Sequence, residues 1–145
     1  MQIHRLPEFP QHVETVSRWI HAHWPNTTAT LEARIERLMR IDGCPPPFVA
    51  LSNDEPVGVI GFRRHRRKDA TRRVLFIDVL YVHESVRCTG IGSALLAEAV
   101  RIAKDFEPEL FVFTDKREFY EKRGWTFHRS DPGETSVVLT RSVVD

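Results

Sequence analysis

Hydrophobic and polar positions change their spacing several times along the chain, and each change predicts an element. The opening residues through Leu6 read as an edge strand, broken by Pro7 and Pro10. Val13, Val16, Trp19 and Ile20 then recur at three- and four-residue intervals, which predicts a helix. A turn at Pro25 and Asn26 follows, and Thr30 is placed to cap a second helix with an apolar face of Leu31, Ile35, Leu38 and Met39. Gly43 and the prolines from Pro45 onward end it. The period next becomes strand-like: residues 48–51, a polar turn over 52–55 and residues 57–62 predict a hairpin.

Residues 74–82 form a nearly continuous apolar run interrupted by Asp78, the pattern of a central strand buried on both faces. Residues 90–104 predict a helix burying Leu95, Leu96, Ala99, Ile102 and Ala103, closed off by Pro108. A short strand over 110–113 and a short helix over 115–122 come next, with Gly124 as the helix stop. Residues 125–128 and 136–140 pair around the turn at Asp131, Pro132 and Gly133. The order is strand, two helices, three strands, helix, strand, helix, two strands, which defines an α/β domain with a mixed sheet. Neither an internal repeat nor a linker interrupts it.

Composition narrows this picture. A chain of 145 residues, 41% hydrophobic and 28% charged, is read as one domain over 1–145 with a core that needs no disulfide or metal. No apolar run reaches membrane-spanning length, and the N-terminal residues lack the apolar core of a signal peptide, so a cytosolic location without membrane association is expected. Cys44 and Cys88 read as free thiols, and no metal site is expected. A net charge of +1 disfavours nucleic acid as a partner. Positive charge is nonetheless concentrated in Arg63, Arg64, Arg66, Arg67, Lys68, Arg72 and Arg73, either a solvated hairpin end or a patch for an acidic partner or a phosphate.

The most informative chemistry lies in Arg87, Cys88, Thr89, Gly90, Ile91 and Gly92, between a buried strand and a helix. Glycines there let successive backbone N–H groups approach a ligand, and the helix adds the positive end of its dipole, so the segment suits phosphate. Its spacing matches neither the dinucleotide fingerprint nor the P-loop.

With its flanks, the stretch from Leu80 through Ser93 to Leu96 resembles the acetyl-coenzyme A loop of the GNAT N-acetyltransferase superfamily, whose pattern is Arg or Gln, two residues, Gly, one residue, Gly or Ala. Arg87, Gly90 and Gly92 supply it. Residues 56–62 resemble the family's third strand, and residues 119–125 resemble its closing helix and turn. The resemblance implies a mixed, mostly antiparallel sheet of six or seven strands flanked by about four helices, with a splayed central strand pair. It further implies acetyl-coenzyme A as co-substrate and a primary amine as acceptor, attacked directly in a ternary complex. By the same resemblance, the loop amides of Arg87 to Ser93 hold the pyrophosphate, and the backbone of Leu80, Tyr81 and Val82 pairs with the pantetheine arm. Tyr120 stands where the family places a tyrosine that protonates the departing thiolate, although an ordinary core aromatic would read the same way.

The base is less defined. Asp78 is the first candidate, as a carboxylate whose burial would raise its pKa, and a buried structural hydrogen bond accounts for it equally. His21 and His23 are secondary candidates, as are His83 and Glu84. Trp19, Trp24 and Trp125 either support the acceptor side or fill the core. Two departures from the family pattern stand out: Cys88 where glycine is common, and no asparagine ahead of Tyr120. The acceptor stays open between a protein N-terminus or lysine and a small amine such as a polyamine or an aminoglycoside. The contrasting readings are a catalytically inactive acyl-coenzyme A-binding regulatory module and a nucleic-acid binder built on residues 63–73. A monomer or homodimer is expected.

Overall fold

The computed structural model describes residues 1–24, 28–66 and 72–144. Their strands are β1 (Gln2–Arg5), β2 (Phe48–Ser52), β3 (Glu55–Arg66), β4 (Arg73–Val82), β5 (Glu109–Thr114), β6 (Thr126–Arg129) and β7 (Val137–Ser142). The helices are α1 (Val13–His23), α2 (Leu31–Met39), α3 (Ile91–Ala103) and α4 (Arg117–Glu121). The strands form one sheet in the order β1-β2-β3-β4-β5-β7-β6. Every neighbouring pair is antiparallel except β4 and β5. Element order, sheet type and helix number follow the expectation.

Local chemistry explains most boundaries. The Thr30 hydroxyl accepts the Ala33 amide at 3.1 Å and starts α2. Asn53 and Asp54 both take positive φ, +52° and +66°, and close the β2–β3 hairpin with the two left-handed residues such a turn requires. On α3, Ile91, Leu95, Leu96, Ala99 and Ala103 are buried. That helix lies so close to β3 that a Cβ on Gly58 would come within 3.0 Å of the Leu95 side chain, so only glycine fits without a shift.

The sheet separates two cores. Leu75, Ile77, Leu110, Val112 and Leu139 meet α3 and Tyr120 of α4 on one face. On the other, Val49, Leu51, Val59 and Val79 meet Val16 and Ile20 of α1. A bulge sets this division within β4: Phe62 pairs with Ile77 while Gly61 pairs with Val79, so Asp78 is the extra residue. Beyond the bulge the alternation is reversed. Ile77 faces α3, yet Val79 faces α1, because a slip of one residue moves the following side chains to the opposite face. Full burial of 74–82 holds only to Val79; Leu80, Tyr81 and Val82 are half-buried, since the sheet opens beside them.

Candidate active site

The glycine segment leads into an α3 N-terminus with no side-chain cap. Ala94 is the first amide to find a helical acceptor, the Gly90 carbonyl at 3.0 Å. Among the described residues the amides of Ile91, Gly92 and Ser93 have no intramolecular partner, which is the condition for an anion site at a helix start. Gly90 adopts φ +91°, and a Cβ there would meet nothing within 4 Å, so the cradle is open on its outer side. Cys88, exposed and free, stands at φ +66°. That left-handed conformation explains why glycine suits this position, and a cysteine there carries strain of about 1 kcal/mol. Thr89 Oγ1 donates to the Val86 carbonyl and Arg87 Nε to the Val82 carbonyl at 2.9 Å, both tightening the turn.

Beside the cradle the sheet parts. β4 and β5 pair only at Phe76–Phe111 and Ile77–Val112, while β4 continues along β3 to Val82. The bond from the His83 amide to the Val57 carbonyl (2.9 Å) sets the phase of that antiparallel ladder. By alternation Tyr81 turns its main chain to β3, whereas Leu80 and Val82 turn theirs to the open side. Of the three residues expected to pair with a pantetheine arm, Leu80 and Val82 therefore offer main-chain groups to the gap. The Tyr81 ring instead faces α1, within 5.9 Å of Trp19 and 5.2 Å of His23, with the Arg87 guanidinium 5.2 Å from its centroid.

Short α4 is clamped to this arrangement by Arg123. Its Nε and Nη2 donate to Ser93 Oγ at 2.8 and 2.5 Å, its Nη1 donates to the Phe119 carbonyl at 2.6 Å, and the guanidinium stacks 3.9 Å from the Phe119 ring centroid. Phe119 in turn lies 3.5 Å from where a Gly92 Cβ would stand. Ser93 is thus engaged through its hydroxyl, leaving its amide for a ligand. Arg123 sits inside the 119–125 motif, yet nothing in its neighbourhood marks its target, thirty residues earlier. Tyr120 is 5% exposed, packs against Trp125 at 5.4 Å, and its hydroxyl makes no hydrogen bond among the described residues. Burial pushes its pKa up to about 12, so the phenol stays protonated and is a donor throughout the physiological range.

On the opposite face a cleft of about 480 Å³ runs between α1, α2 and the sheet, lined by Trp24, Ala33, Arg34, Arg37, Arg63 and Asp78 among others. Asp78 stands at its floor, one residue past the last β4–β5 pair, where the bulge delivers it. It is not the lone buried carboxylate expected: Arg37 Nε donates to Oδ2 at 3.0 Å and Nη2 to Oδ1 at 2.7 Å, and the side chain keeps 21% exposure. Arg34 donates to His21 Nδ1 (3.0 Å) and to the Trp24 carbonyl (2.8 Å). His23 stacks edge-on against Trp24, and His83 binds Ser85 Oγ at 2.7 Å. Glu84 is exposed in the turn after β4. Trp19 and Trp24 lie on the α1 face beside Tyr81, but Trp125 does not: it is 2% exposed in the α3–α4 core, because the residue after Gly124 turns inward beneath Tyr120.

Strand alternation divides the basic stretch. Arg64 and Arg72 both reach Glu107, at 3.4 and 2.8 Å, and Arg73 donates to the Arg64 carbonyl. Arg63 points into the cleft. The turn at Pro25 and Asn26, and Arg67 and Lys68 of the stretch, lie outside the described residues. Among those described, no group of His, Cys, Asp and Glu could hold a metal ion, and no helix is long and apolar enough to cross a membrane.

An uncapped helix start beside a split parallel pair, with a buried phenol on nearby α4, fits a thioester carrier with a diphosphate. The family comparison agrees: residues 8–125 match the acetyltransferase (GNAT) family, and the chain belongs to it. The protein is an acetyl-coenzyme A-dependent N-acetyltransferase. No curated protein sequence matches the chain. Among solved structures, an aminoglycoside 6'-N-acetyltransferase complexed with coenzyme A superposes with a TM-score of 0.81 at 18% identity, covering 100% of this chain and 98% of that one. The aminoglycoside 6'-N-acetyltransferase of Enterococcus faecium gives 0.77 at 18% identity, with 100% and 98% covered. Arabidopsis thaliana Naa50, in complex with the bisubstrate analogue CoA-Ac-MVNAL, gives 0.52 at 23% identity over 66% and 72%. At these identities the likeness is one of fold.

Proposed function

We propose that the protein acetylates a primary amine by direct attack within a ternary complex, the amine entering from the α1–α2 cleft and the coenzyme from the α3–α4 side. The observation that carries this reading is the end of β4–β5 pairing at Ile77 and Val112, immediately before Asp78. Bound acetyl-coenzyme A supplies an activated thioester carbonyl. The amides of Ile91, Gly92 and Ser93 hold its diphosphate, and the main chain of Leu80 with the Val82 amide aligns its arm. Asp78, fixed by Arg37, takes one proton from the incoming ammonium, and the free amine so formed attacks the carbonyl. As the C–N bond forms and the C–S bond breaks, the Tyr120 hydroxyl donates to sulfur. A phenol at about 12 is a weaker acid than a thiol at about 8.5, so its part is hydrogen-bond stabilisation of the developing thiolate, with the proton released by the amine completing the thiol. The continuous seven-stranded sheet supports one domain.

Two-substrate initial rates test the order of events. Intersecting lines are expected. Parallel lines, with covalent acetylation of exposed Cys88 seen by mass spectrometry when amine is withheld, would replace direct attack by a two-step route.

A further inference from the structure

The acceptor cleft carries an unusual charge balance. Arg34, Arg37, Arg40 and Arg63 line it against a single carboxylate, Asp78. Most of these cations are engaged by the protein itself. Arg37 is bidentate to Asp78, Arg40 reaches Glu36 at 2.9 Å and Asp42 at 3.9 Å, and Arg34 is spread over His21 and the Trp24 carbonyl. Arg63 alone of the four has no acceptor among the described residues, although it is half-buried. A half-buried guanidinium without a protein acceptor keeps its charge-assisted donors available to an oxyanion. The positive field is felt locally: burial, together with Arg63, Arg37 and Arg73, lowers the pKa of neighbouring His65 despite the opposing effect of Asp78. At the other end of the cleft Trp24 and Ile20 offer apolar surface.

Resting on the acetyl-transfer reading above, we infer that the acceptor is a small amine that also carries an oxyanion, a carboxylate or a phosphorus acid, which Arg63 binds while the amine lies at Asp78. An amino acid or an aminoalkylphosphonate has this shape: one cation and one anion a few bonds apart, with an apolar or polar remainder for the Trp24 end. A polycation does not. An aminoglycoside or a polyamine would place several ammonium groups among the four arginines with only Asp78 to receive them, so this cleft opposes such acceptors although the fold resembles aminoglycoside acetyltransferases.

The test is a thiol-release assay with acetyl-coenzyme A over matched acceptors: α-amino acids, their carboxamides, their decarboxylated amines, the corresponding aminoalkylphosphonates, an aminoglycoside, a polyamine and a short peptide. A charge-assisted hydrogen bond to the anion predicts kcat/KM about 10- to 100-fold higher for the acids than for the amides or amines. The loss should fall mainly on KM. Carboxylate and phosphonate arms separate the two sources of the oxyanion, and preference for either supports the inference. Arg63→Gln should erase the preference, Arg63→Lys should restore part of it, and Arg63→Glu should favour the decarboxylated amines. Preference for the aminoglycoside, the polyamine or the peptide, or an acid preference unchanged in Arg63→Gln, would overturn the inference while leaving acetyl transfer intact. Coenzyme binding by calorimetry with no thiol release from any amine would overturn both.

Discussion

The coenzyme side and the acceptor side of this molecule meet at one strand but are built from different materials. On the proposed coenzyme side the groups offered are main-chain: three amides at the start of α3 and the open edge of β4, exposed because Gly90 turns the chain and α3 has no cap. On the proposed acceptor side they are side chains: Arg37 from α2, Arg63 from β3 and Asp78 from β4. Main-chain donors are present whatever the sequence, so a short local pattern suffices to deploy them. Side-chain sites require residues far apart in the chain to arrive together, and this permits one fold to serve many acceptors.

The sharpest way to separate the sides is Gly90→Val. A β-branched residue at φ +91° strains the turn and displaces the amides, so coenzyme affinity should fall about 100-fold or more, with the fold destabilised by about 1–2 kcal/mol. Calorimetry and thermal melting read the two effects, and unchanged affinity would remove the cradle from the mechanism. Next is Tyr120→Phe, expected to lower kcat about 100-fold with coenzyme Kd near normal. Its stability should hold within about 0.5 kcal/mol, because the hydroxyl has no protein partner to lose. Equal activity would return Tyr120 to the core. Asp78→Asn probes the junction: kcat/KM should drop about 10-fold, whereas unchanged turnover points to water or a histidine as the base.

Two smaller changes address the scaffold. Glu107 ties the β3–β4 hairpin to the segment between α3 and β5 through Arg64 and Arg72. Burial raises its pKa, but the two guanidinium groups outweigh that and hold it below the usual carboxylate value of 4.5. With the folded value depressed, its contribution is present above pH 4.5 and is lost as pH falls through the folded pKa. Melts of Glu107→Gln against the parent should therefore differ by about 1 kcal/mol at pH 7 and converge in acid. Smallest is Cys88→Gly, which relieves φ +66° and should add about 0.5 kcal/mol with slightly tighter coenzyme binding. A destabilised glycine variant would mean that the cysteine makes a compensating contact.

Legibility in the sequence followed the same division. Helix and strand periods, the Thr30 cap and the strand–loop–helix around Gly90 could be read directly, because each depends on neighbours a few residues away. The bulge at Asp78 left no trace in the apolar run, and without it the faces of Val79 to Val82 are assigned to the wrong sides. Trp125 could not be told from an acceptor-site aromatic, since burial of a tryptophan depends on what covers it. The basic stretch read as one unit, yet alternation on β3 sends Arg63 into the cleft and Arg64 to Glu107.

By itself, then, the order of residues determined the elements, the coenzyme loop and the candidate donor Tyr120, all short-range consequences of backbone chemistry and spacing. Only the tertiary structure decided which charges share the α1–α2 cleft, that Asp78 is held by Arg37 forty-one residues away, and that Arg63 has no acceptor among the described residues. The physical reason is that a charge is defined by its neighbours in space, and chain folding, not chain order, chooses them.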